Sequence, residues 1–250
     1  MTALPKNRFK AGLAEGRLQR GVWSTINDTL VAELTASLGY DWMLFDTEHS
    51  ALDALAVLPL MQAVAPYPVS PIVRPGSLDP AEIKKMLDLG AQSILVPMVN
   101  SAEEAALAVA AVTYPPAGIR GVSGLTRATR FASVPGYHKA AREEIALLVQ
   151  VETAAALDAI EEIAAVPGVD GIFVGPADLA AALGHVGEPS HPEVVAAMLG
   201  AVRRIVAAGR PAGVLSLDQA VTVQVIEAGA TFVAADVDMA AMKRGLSERL

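Results

Sequence analysis

Short apolar runs of about five residues alternate with helix-length segments along the chain. Gly21–Ile26 reads as a first strand, and Asn27–Leu38 has helical spacing that closes at Gly39. Trp42–Phe45 is a second strand ending in Asp46-Thr47-Glu48-His49, and Leu52–Val64 is helical. Pro66, Pro68 and Pro71 lead into Ile72–Arg74, a third strand that Pro75-Gly76 stops. Asp79-Pro80 supplies an N-cap and a first-turn proline for a helix through Leu89. Ser93–Met98 is the fourth strand, and Ser101-Ala-Glu-Glu opens the next helix. Ile145–Val151, Gly171–Val174, Gly213–Leu215 and Thr231–Ala235 are strands five to eight. Pro192–Ala208 and Asp218–Ala228 are helical, and Met239–Leu250 is an amphipathic terminal helix with Met239, Met242 and Leu246 on one side.

This alternation predicts an α/β chain folded as one (β/α)8 barrel over residues 1–250. A doubly wound sheet is the competing architecture, but no glycine-rich dinucleotide fingerprint follows the first strand. The rhythm breaks once. Thr113–Lys139 holds Pro115, Pro116, Gly118, Gly121, Gly124, Pro135 and Gly136 together with Arg120, Arg127 and Arg130. So long an irregular stretch predicts a lid or binding loop, with a solvated excursion as the alternative.

Composition narrows the function classes. The chain is 53% hydrophobic but only 4% aromatic, so its interior is aliphatic. No apolar run reaches membrane-spanning length, and Met1–Arg20 lacks a secretory signal core, which predicts a cytoplasmic protein. The absence of cysteine excludes disulfides, thiolate nucleophiles and Cys-ligated zinc. A net charge of −8 argues against nucleic acid and anionic membranes as partners.

In a barrel, groups at the carboxyl ends of the strands face one site. Glu152 ends the fifth strand and Asp178 follows the sixth after Gly175-Pro176. Either acid alone is explained as a helix N-cap. As a matched pair on adjacent strands they suit a hard divalent cation that keeps open positions for substrate. His49, just past the second strand, is placed to act as a general base, its alternative being a surface loop histidine. Arg74 is out of place in an apolar strand and can hold a carboxylate or an enolate oxygen, or else pair with a rim acid. Asp88 opposes the dipole at its helix end, and alone says little.

Taken together, Phe45-Asp-Thr-Glu-His49, Val73-Arg74, Leu87–Gln92, Leu95–Met98, Arg120-Gly-Val122, Gln150-Val-Glu152 and Val174–Leu179 resemble the metal-dependent pyruvate aldolases. These are 2-oxo-acid aldolases of the 4-hydroxy-2-oxoheptanedioate type, related to the citrate lyase β-subunit. The resemblance covers nearly the whole chain, with motifs in family order. It implies a (β/α)8 barrel of the phosphoenolpyruvate/pyruvate-binding type, assembled as a homohexamer with the last helix on a neighbouring subunit. It implies aldol chemistry between an aldehyde and pyruvate or a substituted pyruvate such as hydroxypyruvate. Glu152 and Asp178 match the ligands of Mg²⁺ or Mn²⁺, with Co²⁺ or Zn²⁺ as further candidates and no organic cofactor. His49 matches the base, Asp88 a residue that tunes it from a neighbouring subunit, and Arg74 the enolate-stabilising group. Gln150, Gly175, Pro176, Ala177 and Asp178 match substrate contacts. Thr47 stands where relatives often have Gly, and Phe45 where smaller aliphatics are common.

Four rivals remain. A phosphate-handling barrel isomerase would want a glycine-rich cradle after strands seven and eight, which Leu215-Ser-Leu-Asp218 and Ala234-Ala-Asp-Val-Asp238 do not supply. An acyl-CoA lyase of the citrate lyase branch would use the same metal pair. A Schiff-base aldolase needs an interior lysine, and none of Lys6, Lys10, Lys84, Lys85, Lys139 or Lys243 lies in a strand-like run. A barrel kept only for binding should have lost one of His49, Arg74, Glu152 or Asp178, and all are present.

Overall fold

Two-residue periodicity decides which side chains fill the centre of the molecule. The computed structural model describes residues 3–248 and residue 250, so residues 1 and 2 of the predicted domain span and position 249 of the predicted terminal helix lie outside the described residues. Eight parallel strands close into a barrel in chain order: β1 Gln19–Ser24, β2 Trp42–Asp46, β3 Ser70–Arg74, β4 Ser93–Val96, β5 Ala146–Val151, β6 Gly171–Val174, β7 Ala212–Leu215 and β8 Phe232–Val237. Along β2, Trp42 and Leu44 join the inner cluster while Met43 and Phe45 join the outer one beneath the helices. Ile72, Leu95, Leu148, Phe173 and Phe232 fill the same interior. Large inner side chains need empty space opposite. A Cβ on Gly21 would stand 2.0 Å from the Trp42 ring, and one on Gly213 2.1 Å from Phe232, so neither glycine can be replaced without displacing an aromatic.

The helix Arg8–Ala14 is a short element that strand-and-helix counting does not anticipate. Seven residues are too few to carry a clear period, but the helix has its own cap, the Asn7 side chain accepting from Lys10 N–H. Phe9 from this helix is fully buried, edge-on to Trp42 at 6.2 Å and to Phe232 at 5.7 Å, and closes the amino end of the barrel. Burying that ring contributes about 1.5–3 kcal/mol. Asn7 donates to Gln92 O, Ser93 Oγ and Glu144 O, and the Glu144 carboxylate accepts from Asn7 N–H at 2.7 Å.

Other boundaries shift by a few residues. β1 stops at Ser24 because the Thr25 and Ile26 N–H groups turn to the Asp238 carboxylate. The terminal helix runs Asp238–Ser247. The expected lid is a correction. Residues 113–139 join helix Ala102–Val112 to β5, so they belong to the amino end of the strands, opposite the βα connections. They pack on the last turn of helix Pro80–Asp88, with Ala128 N–H donating to Asp88 O at 3.1 Å and Arg127 Nη1 to Leu89 O at 2.7 Å. Glycine and arginine content marked a structured loop, but only topology says at which end it lies. Among the described residues, no helix is long and apolar enough to cross a membrane.

Candidate active site

The inward alternation of β2, β3 and β5 turns polar at its last step. Trp42 and Leu44 are followed inward by Asp46, Ile72 by Arg74, and Leu148 by Gln150 and Glu152. The β2–β3 register sets Asp46 directly against Arg74. Arg74 Nε and Nη2 donate to the two Asp46 oxygens at 2.8 and 2.7 Å, a bidentate pair. Trp23 Nε1 adds a bond to Asp46 at 3.2 Å, and Glu48 N–H another at 3.0 Å. Burial alone would push the Asp46 carboxyl up, but Arg74 and these donors hold it below its ordinary value. The Arg74 guanidinium also lies 5.0 Å over the Trp23 ring, while its Nη1 faces Gln150 Oε1 at 3.4 Å and Glu48 Oε2 at 2.8 Å. The Glu48 contact lacks hydrogen-bond alignment, leaving Oε2 buried without a bonded partner.

Glu152 is 1% exposed at the end of β5. Its oxygens accept from Gln150 Nε2 at 2.5 Å and from Met98 N–H at 2.9 Å. Met98 delivers that N–H from a left-handed conformation, φ 54°, uncommon for a residue with a side chain. Gly175 permits the closeness of Glu152. A Cβ there would lie 2.1 Å from Glu152 Oε2 and 2.5 Å from Gln150 Nε2. Pro176 begins the helix Pro176–Ala182, whose first turn carries exposed Ala177 and half-buried Asp178 at the rim. Burial, then the negative charges of Asp178 and Glu48, push the Glu152 carboxyl up to about 7 against the Met98 N–H. Burial raises Glu48 likewise, with Asp46 and Asp178 adding to it and Arg74 and His49 opposing.

His49 stands at the edge of this group, with its side chain 61% exposed and Nε2 3.8 Å from Glu48 Oε1. Asp88 is not part of it. It ends helix Pro80–Asp88 and accepts from Arg120 Nη2 at 3.1 Å at the other end of the barrel. The structure therefore gathers Arg74, Gln150, Glu152, Gly175, Pro176, Ala177 and Asp178 at one mouth with His49 on its lip, and leaves Asp88 outside.

Four carboxylates, Asp46, Glu48, Glu152 and Asp178, share this mouth with one buried guanidinium. Asp46 and Glu48 share the one guanidinium, so the four acids outnumber the buried cation. All-oxygen donors with excess negative charge in a part-buried cleft fit a hard divalent cation.

A model of the HpcH/HpaI aldolase/citrate lyase family matches residues 19–244. The chain belongs to this family. The pyruvate aldolase of Rhizobium etli is 54% identical over 97% of this chain and 95% of its own length. The hydroxypyruvate/pyruvate aldolase of Sagittula stellata is 56% identical over 94% and 93%. The crystal structure of an HpcH/HpaI aldolase/citrate lyase family protein from Burkholderia cenocepacia superposes with a TM-score of 0.94 at 36% identity, covering 98% of both chains. As a member of the HpcH/HpaI family with aldolases at this identity, the chain is a carbon–carbon lyase of the aldolase kind. Within that frame, sequence reasoning placed Asp46 at the rim without a role. Its pairing with Arg74 depends on strand register, which the strand ends Asp46 and Arg74 hint at but do not fix. The Met98 N–H carried no signal at all, because a backbone donor is independent of residue type.

Proposed function

We propose that the chain acts as one catalytic barrel that makes and breaks the bond between C3 of pyruvate, or of a substituted pyruvate such as hydroxypyruvate, and an aldehyde carbon. The product is a 4-hydroxy-2-oxo acid, and a divalent cation, Mg²⁺ or Mn²⁺, is held by Glu152 and Asp178. The names of the R. etli and S. stellata relatives support the 2-oxo acid. The observation that carries the metal is the uncompensated acidic group around Glu152, whose carboxyl is pushed up to about 7 by burial and by its acidic neighbours. When bound, the cation supplies Lewis-acid polarisation of the 2-oxo group.

The protein's own groups do the rest. Arg74 is fixed on one edge by Asp46 and on one face by Trp23, so its Nη1 edge stays aimed at the cleft where negative charge develops on the 2-oxo oxygen. Gln150 and the Gly175–Ala177 backbone line the space for the carboxylate end of the oxo acid. In the cleavage direction His49 takes the proton from the 4-hydroxyl, the C3–C4 bond breaks with its electron pair passing to the enolate of the oxo acid, and His49 returns the proton to C3. In synthesis His49 removes a C3 proton and returns it to the aldehyde oxygen. Asp88 joins the reading only from a second copy, since in its own chain it lies at the far end of the barrel. A homohexamer in the cytoplasm is the assembly this reading expects.

Activity on a panel of 2-oxo acids and aldehydes should disappear with EDTA and return with Mg²⁺, Mn²⁺ or Co²⁺ to different extents. Glu152→Gln or Asp178→Asn should abolish that return, because a neutral amide is a weaker ligand for a hard cation. Full activity after exhaustive chelation, or a borohydride-trapped pyruvyl-lysine, would falsify the reading.

A further inference from the structure

A second group of ligand-type side chains lies on the connection between helices Pro176–Ala182 and Pro192–Ala207 and on the first turn of the latter, apart from the acids just described. His185, His191 and Glu193 each offer one nitrogen or oxygen within 4.8 Å of the others. The two imidazoles stack, centroids 3.6 Å apart and planes 16° from parallel, and His185 Nε2 is 2.9 Å from Glu193 Oε2. The loop is built to bring them together. Gly184 and Gly187 adopt left-handed φ of +87° and +82°, which reverses the chain after the helix. His185 N–H donates to Ala180 O at 2.8 Å, Glu188 N–H to His185 O at 2.9 Å, and His191 N–H to Glu188 O at 2.9 Å. His191 is the N-cap of the following helix, its Nδ1 accepting from Glu193 N–H at 3.3 Å, so its ring proton sits on Nε2, and an ion bound at Nε2 moves that proton to Nδ1 in place of the cap bond.

We propose that His185, His191 and Glu193 form a second metal site, one that takes borderline transition ions such as Zn²⁺, Co²⁺ or Ni²⁺ and is independent of the oxygen-donor centre in the barrel mouth. Two imidazoles and one carboxylate suit these ions, whereas Mg²⁺ prefers oxygen alone. Around a tetrahedral zinc with bonds of about 2.0–2.1 Å, neighbouring donors sit roughly 3.4 Å apart. The His185–Glu193 pair is already inside that separation, and because ring nitrogens bind in the ring plane, the two stacked imidazoles must tilt out of their near-parallel arrangement to converge on one ion. A helix N-terminus disfavours a cation, but Glu193 in the first turn sits there with the opposite charge. Water fills the fourth position. The ion would pin the segment that follows the Asp178-bearing helix, stabilising the fold by mass action without entering the reaction.

The test uses the chain with Glu152→Gln and Asp178→Asn, so that the barrel-mouth centre is already disabled and the outcome does not depend on the proposed aldolase chemistry. After chelation, calorimetric titration at pH 7.5 should give one Zn²⁺ per chain and no Mg²⁺. The imidazole ¹⁵N resonances of two of the four histidines should shift, and the melting temperature should rise with added Zn²⁺. Adding His185→Gln or His191→Asn should weaken Zn²⁺ binding by at least about tenfold and remove the thermal shift. Asparagine is chosen because it remains a good N-cap, so loss of binding is not loss of the helix. No Zn²⁺ uptake by the parent, or uptake unchanged by both histidine substitutions, overturns the site.

Discussion

Arg74 shows how much one side chain can be constrained before any substrate arrives. Asp46 takes two of its nitrogens, Trp23 lies under its face, and a third nitrogen is left toward Gln150 and Glu48. A lysine keeps the charge but cannot span both Asp46 oxygens and still reach the cleft. Arg74→Lys should therefore lower kcat by about 10²–10³-fold, the usual cost of losing one preorganised donor, with the fold intact by circular dichroism. Asp88 and Arg120 give a second residue-scale expectation. The Arg120 side chain is fully buried, 4.4 Å from the Tyr114 ring, with Nε and Nη1 unbonded and Asp88 its only carboxylate partner among the described residues. Removing Asp88 strands a buried cation, whereas Arg120→Met removes the cation and refills its volume. Urea unfolding should find Asp88→Ala less stable by about 3 kcal/mol and Arg120→Met nearly neutral. Glu152, Asp178, Arg74 and His49 were legible because a polar residue at the end of an apolar strand is an anomaly in one dimension. The burial of Arg120 was not, since an arginine in a glycine-rich stretch reads as solvated until the packing around it is seen.

The strands and most helices were legible as elements because each is capped or stopped by its own residues, as Asp28, Asp53, Asp79, Ser101 and Asp218 show. The amino-terminal helix was not, for its fixed position comes from a partner far along the chain. Glu144 holds it through Asn7 N–H at 2.7 Å and Lys6 Nζ at 2.5 Å. Burial pushes the Glu144 carboxyl up, but Lys6 and Asn7 outweigh it and leave it below its ordinary value of 4.5. A carboxyl depressed on folding adds stability that is fully present above its unfolded pKa and is lost as pH falls through the folded value. Glu144→Gln should accordingly melt below wild type at pH 7, and the gap should shrink as pH drops below 4.5, read by thermal unfolding across pH 3–7.

Among the described residues, two helices carry uncovered apolar stripes at the surface of the molecule. Leu30, Leu34 and Leu38 are 63–73% exposed in and just past helix Thr29–Ala36, and Met239, Met242 and Leu246 are 47–67% exposed on helix Asp238–Ser247. Stripes of this kind belong to interfaces. Light scattering at micromolar concentration should return a mass well above the 25.9 kDa of one chain, and a monomer mass would also remove Asp88 from the proposed chemistry. Assembly was the part least written in the single chain, because an amphipathic terminal helix states that something covers it but not which copy or how many.

Phe9 has a further consequence at this scale. With aromatic side chains filling the barrel below Arg74 and Phe9 closing its amino end, the proposed reaction has the carboxyl-end mouth as its way in and out. On the proposed reading the oxo acid lies deepest, against Arg74 and Gln150, and the aldehyde sits above it. Last in must then be first out. In the cleavage direction the aldehyde departs before the oxo acid, and free enzyme reappears only when the latter is gone. Pyruvate should thus inhibit cleavage competitively with the 4-hydroxy-2-oxo acid, while the aldehyde inhibits noncompetitively. The reverse pattern would mean a second exit past Phe9.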